Sequence, residues 1–472
     1  MLKKVTIGLD VGTSSLKVSV YNIESGSFEE NYNVYYDESG SIRAGVSTLK
    51  KYTDAIISTV NDLVKKFHVN SLALSTQMYS FIAVEKQEKI VYQWNVPWER
   101  NEEVEEVLSK FSSISGCPID TLYPSYKVLD LVSQKAYQGN VLCYGLQEAI
   151  IEELTGIRAG DYCNISSYGY LNVRNGTWNE ELLSMLGFDV EKMPLLLECN
   201  QKVGSIVNDQ INCGYEITVA CGLGDGPSAS YATRQISPLL SNVGTAISVR
   251  GFLKQDDINQ IDFYSQRNYC YMINKNTWVI GGLSSNGCGV LDDFRKQGLL
   301  DDSEINIKDN EGKVLYFPWK NGERSPYWSS SLKEVMLGGS YSSDKNSYAS
   351  AVYKGVCFSL SAVYYEVMKA GFSQKDKLII AGGGAKSKIF MELLSGVLPA
   401  ELVLLSDFDF LGSYGAAYAA AEAVGVEPNR NIDTLSSIAP TNDFLEEYLG
   451  WKKEADSLAE YFNSVNVWEE NK

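Results

Sequence analysis

The tripeptide Val-Gly-Thr occurs twice in the same local setting, at residues 11–13 and 243–245. Around each copy, alternating apolar residues run into or out of a short polar turn, which predicts two β-strands joined as a hairpin. The copies lie 232 residues apart, close to half of the 472-residue chain. Similarity at that spacing predicts a fold of two related halves that face each other.

The first hairpin, "IGLDVGTSSLKVSVYN" at residues 7–22, presents an unusual set of groups at its tip. It matches neither G-x-G-x-x-G nor the Walker pattern, so another phosphate-binding arrangement is needed. Asp10 can hold Mg²⁺, Gly12 lets backbone N–H groups approach an anion, and the following hydroxyls can donate to phosphate oxygens. One alternative is an ordinary exposed turn. The second copy favours two hairpins that grip one polyphosphate.

Composition limits the classes of partner. The chain carries 41 basic and 59 acidic residues, a formal charge of −18, which repels nucleic acid and anionic membranes. No apolar stretch reaches the length of a membrane span, and the start of the chain does not read as an export signal. The nine cysteines form no C-x-x-C pair, so we expect buried thiols in a reducing cytoplasm.

The single histidine, His68, narrows the possible chemistry. It follows an amphipathic segment at 48–67, which predicts a structural place near the end of a helix. Without a second histidine, Ser-His-Asp or Cys-His catalysis would have to use His68, and a histidine-rich zinc site is impossible. A general base must otherwise be a carboxylate, a lysine or a tyrosine.

Strand-like and helical segments alternate along the chain, which predicts an α/β fold. The helical period is clearest at 346–370, and short apolar runs predict strands, which are 71–75, 217–221, 277–281, 313–318 and 377–381. The length suits two domains, which we place at 1–236 and 237–472. A cleft between them is the expected site.

Residues 217–230, "ITVACGLGDGPSAS", run from a strand through a glycine-rich turn into a helix. Asp225 lies where strand ends carry function in open α/β sheets, and the glycines around it are expected to let a ligand approach. The alternative is that Asp225 caps a helix whose first residue is Pro227. We favour a functional carboxylate because a cap does not need three glycines.

Two later segments are rich in small residues. The stretch "LIIAGGGAKSKIFMELLSG" at 378–396 predicts a strand, a glycine triplet and a helix; the glycines suit flat contact with a ring or phosphate, or else a tight strand-to-helix turn. The stretch "GSYGAAYAAAEAVG" at 412–425 predicts a helix whose small side chains let it pack very close to a neighbour or to a cofactor, and we favour packing against a neighbour.

In order, the segments "LDVGTSSLK", "LSTQMYS", "YPSYK", "GLGDGPSAS", "NVGTAISVR", "GERSPYW", "AGGGAKS" and "LGSYGAAYAAA" resemble the FGGY carbohydrate kinases over nearly the whole chain. The resemblance implies two actin-like, ribonuclease-H-like domains that flank a deep cleft. It also implies ATP- and Mg²⁺-dependent phosphorylation of a small sugar or sugar acid. A homodimer is compatible with this reading.

The resemblance also implies roles for individual residues. Asp10 would organise Mg²⁺ and Asp225 would be the catalytic base. The nucleotide would be bound by Gly12, Thr13, Ser14, Lys17, Gly244, Thr245, Gly382, Gly383 and Ser387. The substrate pocket would use Gln77, Met78, Tyr79, Trp98 and Lys127 together with Asp225. Since phosphoryl transfer needs a base only late, Asp225 can fill this role without a raised pKa.

The substrate is less sharply defined. Several segments resemble gluconate kinases and then xylulose kinases, while "SSYGYLNVRNGTW" resembles sedoheptulose kinases. Gluconate and xylulose kinases usually have histidine where this chain has Tyr79, whose phenol is larger and neutral at pH 7. At "WNVPWERNEE", Trp94 or Trp98 with Glu99 and Arg100 must replace the family's usual tryptophan, aspartate and arginine.

Two other function classes compete with the kinase. A non-catalytic sugar or nucleotide sensor would explain the altered pocket, but it has no use for Asp225. An actin-like or chaperone ATPase would share the two hairpins but would turn over ATP without any sugar.

Overall fold

A computed structural model of the chain describes residues 2–134, 140–254, 267–302, 305–308, 314–320, 322–339, 345–373 and 376–469.

The strands in these ranges are numbered along the chain. They are β1 Lys4–Val11, β2 Ser15–Asn22, β3 Ser27–Tyr35, β4 Ser41–Arg43, β5 Val46–Thr48, β6 His68–Thr76, β7 Phe81–Glu85, β8 Glu88–Tyr92, β9 Asn140–Val141, β10 Ala159–Asp161, β11 Leu171–Asn172, β12 Thr177–Trp178, β13 Leu195–Leu197, β14 Lys202–Ser205, β15 Thr218–Ala220, β16 Leu223–Gly224, β17 Leu239–Val243, β18 Ile247–Lys254, β19 Tyr269–Asn274, β20 Thr277–Ser284, β21 Leu315–Phe317, β22 Val335–Leu337, β23 Leu378–Ala381, β24 Leu402–Leu405 and β25 Thr434–Ile438.

The helices are numbered in the same way. They are α1 Leu49–Lys66, α2 Glu102–Ser109, α3 Ser112–Ser115, α4 Pro124–Ser133, α5 Leu146–Thr155, α6 Tyr162–Ser167, α7 Glu180–Met185, α8 Asp225–Thr233, α9 Cys288–Lys296, α10 Lys345–Met368, α11 Lys388–Val397, α12 Leu411–Glu422 and α13 Leu445–Glu469. The alternation of strands and helices confirms the α/β prediction. Each apolar run predicted as a strand contains one, although residue 313 lies outside the described residues.

The predicted repeat of the hairpin is present in two large sheets. The first has the order β14-β15-β6-β1-β2-β3, and the second has the order β19-β20-β18-β17-β23-β24-β25. In each, an antiparallel hairpin (β1–β2 or β17–β18) is followed by two parallel strands and an antiparallel edge strand. The two halves therefore share one topology, in which the hairpin occupies the same position.

The alternation of β1 positions one functional side chain. Val5, Ile7, Leu9 and Val11 are fully buried in a core shared with α1 and α5. The intervening residues face α12 on the opposite side of the sheet, where the Thr6 hydroxyl donates to the Ala417 carbonyl oxygen at 3.1 Å. Because side chains alternate along a strand, Asp10 lies on this second face, toward the start of α12.

Helix α12 packs closely against the first sheet and against α8, as its small residues predicted. A Cβ on Gly8 would lie 1.8 Å from the Ser413 carbonyl oxygen, and a Cβ on Gly415 would lie 2.0 Å from the Ser228 carbonyl oxygen. The Ser228 hydroxyl also donates to the Gly412 carbonyl oxygen at 2.7 Å. At these points the backbone of α12, in the second half of the chain, contacts the backbones of β1 and α8, in the first half.

The other end of this helix pair is fixed by a buried ionic cluster. Glu422 accepts hydrogen bonds from Tyr231 and Arg430, from Arg234 at 3.1 Å and from Asn200 at 2.9 Å. Burial raises the pKa of Glu422, but these partners outweigh burial and hold the pKa below its ordinary value. The cluster therefore ties the C-terminal ends of α8 and α12 together as charged partners.

The remaining sequence predictions concern the histidine, the cysteines, membrane-spanning segments and the domain limits. His68 opens β6 and its ring packs against Tyr215 with centroids 4.3 Å apart, which is the predicted structural role. All nine cysteines are free thiols, and seven of them are buried. Within the described ranges, no helix combines the length and the apolar character needed to cross a membrane. The domain limits 1–236 and 237–472 stay a prediction.

The close approach of α12 gives a test. Gly415→Ala should lower the free energy of unfolding by about 1–3 kcal/mol, the usual cost of overpacking, because the new methyl group meets backbone that cannot turn away. The matched control is Gly450→Ala in α13, where the space around the glycine is open. That change should stabilise the protein by about 0.5–1 kcal/mol. Thermal unfolding of both variants checks the prediction, and equal shifts would contradict it.

Candidate functional site

A cavity of about 350 Å³ lies between the two hairpins. Its wall takes Asp10, Lys17 and Asp225 from the first half and Asn242, Ala246, Ile247, Ser248 and Arg250 from the second. The aromatic and apolar part of the wall includes Met78, Tyr79, Trp94, Leu122, Tyr269, Tyr271, Leu283 and Phe408. The expected cleft between the halves is therefore the place where the predicted acids meet.

Asp10 ends β1 and faces this cavity. Its Oδ1 accepts a hydrogen bond of 2.7 Å from the Ser75 hydroxyl. Burial raises the pKa of Asp10, while the charge of Lys17 and the bond from Ser75 oppose that rise. Lys17 lies opposite Asp10 in the hairpin and donates to the Asp409 carbonyl oxygen at 2.7 Å, across to the second half. Asp10 is thus a carboxylate that a cation in the cavity would stabilise.

Asp225 is the first residue of α8, not its cap. The N-cap position belongs to Gly224, and Pro227 is the third helical residue, so the capping alternative is not what the structure shows. The Asp225 Oδ1 accepts a 2.7 Å hydrogen bond from the backbone N–H of Gly226. Its side chain opens into the cavity. The carboxylate is therefore held at a helix N-terminus and available to a ligand.

The glycines around Asp225 serve a different purpose from the one expected. Gly222 has φ +79°, and a Cβ there would lie 2.0 Å from the Leu74 carbonyl oxygen. A Cβ on Gly224 would lie 2.5 Å from Met78. These two glycines make room for neighbouring protein atoms rather than for a ligand.

The pKa of Asp225 is raised to about 6, a rise that the sequence-based argument for a base did not require. The side chain is open to water in the cavity, but the surrounding walls desolvate it, and this is the largest cause of the rise. The charge of Asp10 adds to it, while the Gly226 N–H, Arg250 and Lys17 oppose it. At neutral pH the group is still mainly ionised, and it is a stronger base than an ordinary aspartate.

Hydrogen bonds within the turn and from neighbouring segments hold the tips of the hairpins. In the first, the Gly12 N–H donates to the Ser15 carbonyl oxygen at 3.1 Å, and the Trp94 indole donates to the Thr13 hydroxyl at 3.3 Å. Ser14, beside them, is exposed. In the second, the carbonyl oxygens of Gly244 and Thr245 accept from the first backbone N–H groups of α9.

The glycine triplet after β23 combines both of its predicted uses. Gly382 has φ +89°, and a Cβ there would lie 2.6 Å from the Val243 carbonyl oxygen, so this residue forms a tight turn against the second hairpin. Around Gly383, in contrast, the space is open. The Ser387 hydroxyl accepts from the Phe390 N–H at 3.3 Å and caps α11. The triplet therefore adjoins the second hairpin and leaves one glycine free to face a ligand.

The predicted substrate residues separate into two groups. Met78 and Tyr79 line the cavity. Gln77 is buried behind it and donates to the Tyr52 hydroxyl at 3.3 Å. Tyr79 has φ +61°, so the regular strand does not continue through this residue. The side chains of Gln77 and Tyr79 therefore do not lie on one face of a strand.

Two further predicted residues lie behind the wall. Trp98 donates to Asp130 at 2.9 Å, and Trp94 instead contributes to the cavity. Lys127 is fully buried and donates to the Trp94 carbonyl oxygen at 3.3 Å. Burial lowers the pKa of Lys127 to about 7, although Asp120 opposes the fall. Both side chains therefore support the segment that carries Trp94.

Sequence reasoning missed two cationic side chains that the second half contributes to the cavity, Arg250 and Arg324. Arg250 on β18 donates from Nε to the Gly226 carbonyl oxygen at 3.0 Å and from Nη1 to the Ser248 hydroxyl at 2.6 Å. Arg324 lines the cavity as well. The alternation of side chains along β18 could have predicted that Arg250 lines the cavity, because Ser248 and Arg250 lie on one face of the strand just after the hairpin tip.

Comparison with known proteins matches both halves of the chain. Residues 5–231 match the N-terminal domain model of the FGGY family of carbohydrate kinases, and residues 271–424 match the C-terminal domain model of the same family. The chain belongs to the FGGY family of carbohydrate kinases. Members of this family are phosphotransferases that act on alcohol groups.

Individual FGGY relatives are distant in sequence and close in fold. Gluconokinase from Bacillus subtilis (strain 168) is 21% identical, with 94% of this chain and 93% of that protein covered. Xylulose kinase from Staphylococcus xylosus is 23% identical, with 88% and 90% covered. The crystal structure of gluconate kinase from Lactobacillus acidophilus superimposes with a TM-score of 0.84 at 21% identity, covering 98% and 100%. The actin-like two-domain fold expected from the sequence is confirmed.

The electrostatics of this FGGY site give a direct test. Asp10→Asn should lower the pKa of Asp225 from about 6, because a nearby negative charge is removed. Arg250→Gln should raise that pKa, because a nearby positive charge is removed. Carboxyl ¹³C NMR of aspartate-labelled protein would measure both, with Asp225→Asn identifying the resonance. Shifts of the same sign in the two variants would contradict the opposite effects of Asp10 and Arg250 on the pKa of Asp225.

Proposed function

We propose that this chain transfers the terminal phosphoryl group of ATP to a hydroxyl of a small sugar or sugar acid, with Asp225 as the general base. The main support is that Asp225 shares one cavity with Asp10 and Lys17 of the first hairpin and with Ala246 of the second. A phosphate donor between the hairpins would then face an alcohol beside Asp225. The gluconate- or pentulose-like acceptor is suggested by relatives named gluconokinase and xylulose kinase.

The nucleotide is proposed to bind between the hairpins. The phosphates would meet the first tip and Lys17, and the second tip at Gly244 and Thr245. The adenosine would lie against Gly382, Gly383 and Ser387. Helices α8 and α12 both begin at this cavity, and their N-terminal N–H groups favour negative charge there. Lys17 and these N–H groups would thus allow a protein with a net negative charge to bind a polyanion.

A magnesium ion fits the donor set. In the described part of the chain, no group of three or more histidine, cysteine or acidic side chains could form an all-protein metal cage. Mg²⁺ is commonly bound through one or two carboxylates, with substrate phosphates and water supplying the other ligands. Asp10, whose pKa is raised by burial, is the residue proposed to hold it. When bound, the ion would neutralise charge on the transferring phosphate oxygens.

Asp225 is proposed to orient the acceptor hydroxyl and to take its proton. In a loose phosphoryl-transfer transition state, the hydroxyl loses its proton late, so positioning matters more than base strength. A pKa of about 6 keeps the base ionised at pH 7 and still able to accept a proton. Met78 and Tyr79 are proposed to contact the sugar; Gln77, Trp98 and Lys127 would act from behind the wall.

Asp225→Asn should lower kcat about 10²–10⁴-fold, since a positioned general base contributes that much, and should leave the Kd of an ATP analogue almost unchanged. Asp409→Asn, an exposed acid on the same cavity, is the matched control and should retain activity. ADP release against a panel of sugars, sugar acids and polyols measures the effect. ATP turnover that no sugar changes and that persists in Asp225→Asn would favour an ATPase. Tight ATP binding without turnover across the panel would favour a sensor.

The pH dependence follows from the same residue. The base must be ionised to accept a proton, so kcat/KM should fall about tenfold for each pH unit below about 6 and level off above pH 7. Initial rates between pH 5 and 8 would show this, with samples returned to pH 7.5 as a control for acid damage. A flat profile down to pH 5 would contradict the assignment of Asp225.

A further inference from the structure

A second cavity, of about 410 Å³, lies next to the turn at residues 324–328. Among the described residues, it shares no wall residue with the cavity between the hairpins. Its charged side chains come from both halves of the chain and are Arg100, Glu105, Arg267 and Asp456. The second cavity is therefore a separate place where the two halves meet.

Two segments singled out in the sequence divide their side chains between the two cavities. The segment "WNVPWERNEE" contributes Trp94 to the first cavity and Arg100 to the second. The segment "GERSPYW" contributes Arg324 to the first, and Tyr327 and Trp328 to the second. Both segments therefore contain side chains to which the proposed phosphoryl transfer gives no role.

Hydrogen bonds around Arg267 fix one wall of the second cavity. The Arg267 carbonyl oxygen accepts from the Ser325 hydroxyl at 2.7 Å and from the Trp328 indole at 2.9 Å. Trp328 has φ +47°, a backbone conformation that bulky residues rarely adopt. The Tyr327 hydroxyl donates to Asp456 at 3.1 Å, which ties α13 to the same turn. The aromatic side chains and the Arg267 backbone are therefore held in place by the protein itself.

Both acids of the wall already accept hydrogen bonds from the protein. Glu105 accepts from Arg100 Nε at 2.6 Å and from the Tyr126 hydroxyl at 3.3 Å. Asp456 accepts from the Tyr327 hydroxyl and, at 2.6 Å, from the ammonium group of Lys452. The negative charges in this cavity are therefore matched by neighbouring donors.

The two guanidinium groups, in contrast, keep donors for a ligand. Arg100 uses its Nε for Glu105, and its two Nη groups make no hydrogen bond to any residue that the structure describes. The Arg267 Nη1 lies 3.6 Å from Glu366 Oε2, too far for a hydrogen bond, and the Arg267 side chain is 53% exposed. A guanidinium offers parallel N–H donors that match the oxygens of a phosphate. The unused hydrogen-bonding capacity of the cavity therefore favours an anion.

The rest of the wall is apolar and aromatic. Ile119 and Pro326 line it together with the rings of Tyr327 and Trp328. Tyr327 packs edge to face on Trp319, with ring centroids 5.5 Å apart, so its position is fixed from behind. Aromatic surfaces of this kind suit a flat or apolar group. An organic anion would therefore use more of this wall than an inorganic ion.

We propose that the second cavity binds a small organic phosphate. Arg100 and Arg267 would bind the phosphate group, and Tyr327 and Trp328 would contact the organic part. A phosphate dianion matches two guanidinium groups better than a single carboxylate does. The bound molecule would contact both halves of the chain, because Arg100 belongs to the first half and Arg267 to the second. This inference does not depend on the proposed kinase function.

Isothermal titration calorimetry with phenyl phosphate tests the site. The titration contains Mg²⁺ and a nonhydrolysable ATP analogue, so that the hairpins of the first cavity are occupied, and it requires no turnover. One molecule should bind with a Kd below about 1 mM, and inorganic phosphate, phenol and benzoate should each bind at least about threefold more weakly. No saturable binding up to about 10 mM would overturn the inference. Equal or tighter binding of benzoate or of inorganic phosphate would overturn the assignment of an organic phosphate.

Substitutions locate the bound phenyl phosphate. Arg100→Gln and Arg267→Gln should each raise its Kd at least about tenfold, because each removes a charged hydrogen-bond donor. Arg43→Gln is the matched control, since Arg43 is an exposed arginine of β4 that lines neither cavity, and it should leave the Kd unchanged. An unchanged Kd in both Arg100→Gln and Arg267→Gln would overturn the inference.

A substitution of opposite sign separates loss of the site from loss of the fold. Glu105→Gln keeps an acceptor oxygen for Arg100 but removes a negative charge from the wall, so it should lower the Kd of phenyl phosphate about threefold. A misfolded variant could not bind more tightly. A higher Kd in Glu105→Gln would overturn the inference.

Discussion

Contact between backbone and backbone along α12 is the constraint on which the site depends. Gly8 on β1 and Gly415 on α12 leave no space for a side chain at the points where they approach their neighbours. The Thr6 and Ser228 hydroxyls donate to carbonyl oxygens of α12, so the close surfaces are polar as well as small. Because dense packing does not deform continuously, this contact fixes how the hairpins of the two halves face each other.

The same contact places the charged side chains of Asp10 and Asp225 close to each other. Asp10 and Asp225 belong to different segments of the first half, yet the charge of Asp10 contributes to the raised pKa of Asp225. The Gly226 N–H at the start of α8, Arg250 and Lys17 oppose that rise. Two acids with compensating positive groups suit the magnesium-bound triphosphate that we propose as the ligand. The balance explains how a chain with a formal charge of −18 can serve a polyanion.

The sequence predicted the features that are local or repeated. Both hairpins, the α/β order, the small-residue helix and the place of Asp225 follow from strand alternation and from turn residues. It did not predict that Gln77 turns away from Tyr79, because that depends on a left-handed backbone at Tyr79. Nor could spacing reveal Arg324, which reaches the cavity only when the halves meet. Contributions of this kind depend on tertiary structure and leave no periodic signal.

The buried cluster at Glu422 has a mechanical consequence. It ties the C-terminal ends of α8 and α12, whereas their N-terminal ends carry Asp225 and adjoin Asp10. The same pair is held near its N-terminal ends by the backbone contact of Gly415 with Ser228. Because the two helices are joined at both ends, they should keep their relative position as one rigid body, and the distance between Asp10 and Asp225 should stay constant with them.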